Sequence, residues 1–151
     1  MIAEFRARMR TEHGFTLIEI LVVCVILGLL VALVVPKILG RTDDARQTAT
    51  KVQLRNIEQA LQLFKLDTGT YPSTEQGLDA LVRKPTVGVI PGRYREGGYL
   101  PKVPLDTWGH LFQYRSPGTD GKRDYELVSL GADGKPGGQG YDADLESWNL
   151  D

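Results

Sequence analysis

Gly14-Phe15-Thr16-Leu17-Ile18-Glu19 leads into a run, Ile20 to Val35, in which every side chain is apolar or glycine, and the fold follows from this stretch. From about Phe15 to Leu39 the segment is long enough to cross a bilayer as a helix, which takes roughly 20 residues. As far as Val35 it carries one charge, Glu19. Ahead of it lie Arg6, Arg8 and Arg10 against Glu4 and Glu12, and positive charge before an apolar span keeps the N-terminus on the cytoplasmic side. A secretory signal would end in a small-residue cleavage site. This run passes instead into Val34-Val35-Pro36-Lys37-Ile38, which predicts that the hydrophobic segment is retained. Three parts result: a short leader over 1–14, a membrane-spanning helix over 15–39, and a water-facing domain over 40–151.

Beyond the span, Ala45, Ala49, Val52, Ile57, Ala60, Leu61 and Phe64 recur mostly three and four residues apart. That spacing predicts one amphipathic face. Asp43 and Asp44 suit a helix N-terminus and Gly69 a stop, so the expectation is a bent or continuous helix from about 16 to 67. Ser73-Thr74-Glu75-Gln76 has the form of a capping box and predicts a short helix through Val82. Residues 83–104, rich in Gly, Pro and Arg, predict a long surface loop. Leu111–Arg115 and Tyr125–Leu130 predict two strands around the turn residues 116–121. The Gly- and Asp-rich remainder has Trp148 as its apolar anchor. The fold class is α+β: a long N-terminal helix packed on a small antiparallel sheet.

Composition narrows the function. The 151 residues hold 18 Lys and Arg against 19 Asp and Glu, a net charge of −1, which gives no basic surface for nucleic acid. The single cysteine, Cys24, lies in the apolar run and cannot form an internal disulfide. His13 falls in the leader and His110 stands alone, so neither a His-based triad nor a zinc site is expected. No Gly-rich phosphate loop follows a strand. The expectation is a protein that is not an enzyme.

The leader, Gly14-Phe15 and Glu19 together resemble the class III signal of type IV pilins and pseudopilins. Further along, Tyr71-Pro72-Ser73-Thr74-Glu75-Gln76-Gly77-Leu78, Gly98-Tyr99-Leu100, Asp106-Thr107-Trp108-Gly109 and Ser129-Leu130-Gly131-Ala132-Asp133-Gly134 stand in the order of the landmarks of the major pseudopilin of type II secretion. The chain departs at Thr107, where that family commonly has Pro. The resemblance implies cleavage after Gly14 by a prepilin peptidase and N-methylation of Phe15. It also implies attraction of Glu19 to the amine of a neighbouring subunit. A charge at the centre of a membrane helix costs on the order of 2.5 to 3.5 kcal/mol, so Glu19 needs a partner.

The implied protein is a single-pass inner-membrane subunit with its C-terminal domain in the periplasm. It would polymerise as a helical pseudopilus with minor pseudopilins and work with an inner-membrane platform, a cytoplasmic ATPase and a secretin to export proteins. Asp133, Asp142 and Asp144 lie in a Gly-rich tail. By themselves they read first as turn residues, although oxygen donors on a flexible loop also suit Ca²⁺. The resemblance implies a calcium-clamped loop using the carbonyl of Leu130 and the side chains of Asp133 and Asp144, with Asp142 a further candidate. Two alternatives are a type IV pilin or competence pseudopilin, which usually carries a C-terminal disulfide pair, and a membrane-anchored binding module or enzyme, which needs a cleft of convergent polar groups.

Overall fold

The computed structural model describes residues 14–150, with the side chains of residues 33–41 outside that description. Residues 1–13, all of the expected leader but Gly14, likewise lie outside the described residues. One helix, α1 (Leu17–Thr68), takes up 52 residues. Asp43 and Asp44 lie within it and do not begin a second helix. The chain divides into two compact units, one ending at Gly40 and one beginning at Arg41.

In the first unit the side chains of α1 from Leu17 to Val31 are exposed, among them Leu17 at 83% and Ile26 at 50%. Among the described residues no helix is long and apolar enough to cross a membrane. The described side chains of the expected span stop at Ala32, and the remainder, 33–39, lies outside them.

In the second unit α1 buries Thr50, Leu54, Ile57, Leu61 and Phe64. The steps of four, three, four and three residues keep them on one face. This corrects the face expected from the sequence: Ala45, Ala49 and Val52 are exposed, Val52 at 51%. The stripe passes through Thr50 because its polar group is satisfied. The hydroxyls of Thr50 and Thr107 lie 2.7 Å apart, and Thr50 Oγ1 accepts the Thr107 N–H at 3.3 Å. The Thr107 hydroxyl in turn donates to the carbonyl of Arg46 at 2.9 Å, which leaves Thr50 as the donor of the pair. A buried hydroxyl so paired escapes the desolvation cost of an orphan.

Opposite this face lie Leu78, Ala80, Leu81, Phe112, Leu127 and Leu145. The capping box forms, with Gln76 N–H donating to Ser73 Oγ at 3.2 Å and Ser73 N–H to Gln76 Oε1 at 3.0 Å. It introduces a turn and then the expected short helix, which is of the 3-10 kind, Leu78–Leu81, with Val82 as its C-cap. The amide of Gln76 then donates to the carbonyls of Val87 and Val89 at 2.8 and 2.9 Å. Residues 83–104 contain no helix or strand, as expected, and Gln76 is one of their ties. Another is Leu81, whose carbonyl accepts the N–H groups of Tyr99 and Leu100. The chain comes so close there that a Cβ at Gly98, which has φ 78°, would stand 2.6 Å from the Val82 carbonyl.

Three antiparallel strands form one sheet in the order β1 (Gln113–Arg115), β2 (Glu126–Ser129), β3 (Leu145–Glu146). The first two lie inside the expected strands. The third falls in the tail, where no strand was expected. Its Leu145 enters the core, whereas Trp148 is 37% exposed with the Arg123 guanidinium 4.3 Å over its ring. Leu145, and not Trp148, is thus the apolar anchor of the tail. In the β1–β2 turn, the backbone N–H groups of Lys122 and Arg123 hold the Asp120 carboxyl below its ordinary pKa, and the Thr119 hydroxyl and N–H do the same for Glu126.

Thr50→Val keeps the shape of the buried position, leaves the Thr107 N–H without its acceptor and removes the Thr50 donor from the Thr107 hydroxyl, which still donates to Arg46. Equilibrium urea unfolding should show a loss of about 1 to 3 kcal/mol. A variant as stable as the parent would mean that the threonine pair does not hold the turn to the helix.

Candidate functional site

Two places carry the residues singled out in the sequence. At the start of α1, Phe15 is exposed and Thr16 caps the helix. Glu19 N–H donates to Thr16 Oγ1 at 3.3 Å, while Glu19 Oε2 accepts the Thr16 N–H at 2.8 Å and the Thr16 hydroxyl at 2.9 Å. This is a reciprocal capping box, and it places a carboxylate where the positive end of the helix dipole favours one. Sequence reasoning isolated Glu19 and missed Thr16. The signal was present, since Thr-x-x-Glu directly before an apolar run is the capping-box pattern. Nothing lies within 4 Å of where a Cβ on Gly14 would stand, so the described fold does not itself require glycine there.

The second place is the tail after β2. Leu130 follows the last residue of that strand, and Asp133 accepts the Lys135 N–H through Oδ1 at 3.0 Å. Asp144 accepts the Gly137 N–H through Oδ2 at 2.9 Å. Its other oxygen, Oδ1, is buried with no hydrogen-bond partner. Asp142 is exposed, and its N–H donates to the Gln139 carbonyl at 3.2 Å. The loop closes on itself, Ala132 N–H donating to the Tyr141 carbonyl at 2.9 Å. At Gly131, φ 65°, a Cβ would stand 2.8 Å from the Asp142 and Ala143 carbonyl oxygens. Among the described residues no three His, Cys, Asp or Glu side chains converge as metal ligands do, so the three aspartates do not form a carboxylate cluster. A cation here would draw on carbonyl oxygens as well, a donor set that suits Ca²⁺. The orphaned oxygen of Asp144 fits that requirement, because a buried carboxylate oxygen without a partner is costly.

His110 does not stand alone, contrary to the expectation. Its Nδ1 lies 3.1 Å from the Gly131 carbonyl and 3.7 Å from Asp106 Oδ2. Asp106 is buried, and its Oδ2 accepts the Ser129 hydroxyl at 2.7 Å. Asp, Ser and His thus meet, but in an order unlike an activated serine: Ser129 is buried and gives its proton to the carboxylate, not to the imidazole.

The comparisons with known proteins agree with the fold. Residues 37–148 match the family described as Type II secretion system (T2SS), protein G, and residues 9–35 match the Prokaryotic N-terminal methylation motif. The Type II secretion system core protein G of Pseudomonas aeruginosa is 52% identical over 140 residues, 93% of this chain and 97% of that protein. Its counterpart from Vibrio cholerae is 48% identical over 143 residues, 95% of this chain and 96% of that protein. The crystal structure of the major pseudopilin from the type 2 secretion system of enterohaemorrhagic Escherichia coli is similar with a TM-score of 0.64 at 39% identity, covering 76% of this chain and 96% of that one. With the family matched over most of its length and a pseudopilin fold in its second unit, the chain belongs to the type II secretion system protein G family, the major pseudopilins.

Proposed function

We propose that this pseudopilin is cut between Gly14 and Phe15, N-methylated on Phe15, held in the inner membrane by residues 15–39 with residues 40–151 in the periplasm, and polymerised into a helical pseudopilus. The observation that carries the reading is the first unit, a helix whose apolar side chains from Leu17 to Val31 are exposed and whose one charge there, Glu19, is bonded at its capped start. So large an apolar surface is not left to water. Lipid covers it in the single subunit, and the helices of other copies cover it in the filament. Contact between two different surfaces of each subunit generates an open helix when the rotation does not close. Minor pseudopilins, a prepilin peptidase, an assembly platform with its ATPase, and a secretin complete the export machinery in this reading.

The tail extends the proposal. Leu130 through its carbonyl and Asp133 and Asp144 through their carboxylates would hold one Ca²⁺, with Asp142 as a further ligand. The unpartnered Asp144 Oδ1 supports this, as does the glycine-rich chain between Gly131 and Asp144, which is irregular apart from a 3-10 turn at Gly140–Asp142. Ordering such a chain costs roughly 1 to 2 kcal/mol per residue in backbone entropy. A ligand that binds only the folded state offsets about 2.7 kcal/mol when its free concentration is about 100 times Kd.

N-terminal mass spectrometry of protein extracted from membranes should find N-methylated Phe15, and a bulky residue in place of Gly14 should leave the precursor uncut. A mature N-terminus beyond Leu39, or intact Met1 in working filaments, would sink the proposal. Glu19→Ala should be processed and inserted normally yet give few filaments. Thr16→Val, which keeps the carboxylate but loses the hydroxyl of the capping box, should weaken the helix start by about 0.5 to 2 kcal/mol and give an intermediate yield. Filament counts equal to wild type for Glu19→Ala under overexpression would show the charge to be dispensable. Calorimetric melting of the processed chain in detergent should shift downward on chelation, and Mg²⁺ should restore it poorly because it demands a tighter octahedral cage. Superimposable melts with and without Ca²⁺ would remove the metal from the proposal.

A further inference from the structure

The ligand set proposed for the tail begins with a backbone carbonyl, that of Leu130, and a carbonyl can serve as a ligand only if its peptide plane is fixed. Two side chains outside the loop fix it. The Gly131 N–H, in the same peptide unit as the Leu130 carbonyl, donates to Ser129 Oγ at 3.4 Å. In a trans peptide the N–H and C=O point in opposite directions. Turning the N–H back toward buried Ser129 therefore turns the Leu130 oxygen away from it. Ser129 Oγ is held in turn, because its own proton goes to Asp106 Oδ2 at 2.7 Å.

The next peptide unit is fixed by His110. The Gly131 carbonyl can only accept, so the proton of the 3.1 Å bond sits on His110 Nδ1. The other group of that unit, the Ala132 N–H, donates to the Tyr141 carbonyl at 2.9 Å. The imidazole also packs against Gly134, where a Cβ would come within 3.0 Å of the ring. His110 is itself placed by Asp106, whose Oδ1 accepts the His110 N–H at 2.8 Å.

We infer that His110 and Ser129, both placed by Asp106, are positioning residues for calcium: they hold the Leu130–Ala132 backbone in the orientation that presents the Leu130 carbonyl to the ion. The inference rests on the calcium reading above and concerns residues that are not themselves ligands. Groups that orient ligands in this way change metal affinity by about 10- to 100-fold when removed.

The test is Ca²⁺ titration calorimetry on the full processed chain in detergent, together with amide exchange and melting of the metal-free protein. His110→Leu keeps bulk against Gly134 and removes the Nδ1 donor; it should weaken Ca²⁺ binding about tenfold. His110→Asn, whose amide can donate from nearly the same place, should recover most of the affinity. In metal-free protein His110→Leu should speed amide exchange at Ala132 while the melting temperature stays near that of the parent. A purely structural His110 would instead lower the metal-free melting temperature and leave Kd unchanged at temperatures where the chain is folded. Wild-type affinity in His110→Leu, or an Asn variant as weak as the Leu variant, overturns the positioning role alone. A wild-type chain that takes up no Ca²⁺ overturns the calcium reading and this inference with it.

Discussion

The carboxylate of Asp106 is buried, and a buried charge is tolerated only when donors surround it. Its donors come from two directions in the chain. Trp108 and His110 give backbone N–H groups to Oδ1 at 3.0 and 2.8 Å, and Ser129 gives its hydroxyl to Oδ2. The turn 106–110 and the end of β2 must therefore be in place together. Once they are, Thr107 faces Thr50 on α1 and His110 faces the carbonyl of Gly131. Helix, turn, sheet and tail are registered through one residue. The sheet needs such a device, since its strands span only Gln113–Arg115, Glu126–Ser129 and Leu145–Glu146, and ladders that short fix little by themselves.

Much of the architecture was legible in the sequence for simple physical reasons. An apolar run followed by a period near 3.6 dictates a long helix, and Gly69, with its positive φ, ends it. Where the sequence misled, a local rule yielded to a distant partner. Val52 belongs to the apolar class and Thr50 does not, yet Thr50 is buried because Thr107, distant in the chain, completes its hydrogen bonds through both its hydroxyl and its N–H. The strand at Leu145–Glu146 is too short for any periodicity to reveal; pairing with Val128 and Ser129 creates it. Trp148 is the largest apolar residue of the tail, but a stacked guanidinium lets it remain half in water.

The candidate sites divide in the same way. Glu19 stood out because a charge in an apolar run is anomalous, and Thr16 did not because a threonine there is ordinary. Asp133 and Asp144 were legible as acidic residues on a Gly-rich loop, whereas the groups that orient the loop are Ser129, the last residue of β2, and Asp106 and His110, of which Asp106 lies 23 residues upstream of Ser129. Only the tertiary fold brings them to it.

Glu19 has further significance for assembly. Its Oε2 already accepts two hydrogen bonds from Thr16 within one subunit. In the proposed filament a neighbour's ammonium drawn to Oε2 would compete with partners already present, whereas Oε1 takes neither of those bonds. Where the ammonium displaced the Thr16 bonds, the free energy of docking would be the difference between two satisfied arrangements, smaller than that of either alone. A filament joined by such exchanges, as proposed above, would sit near balance at each step, so that a modest external force would be enough to set whether its base gains subunits or gives them back to the membrane.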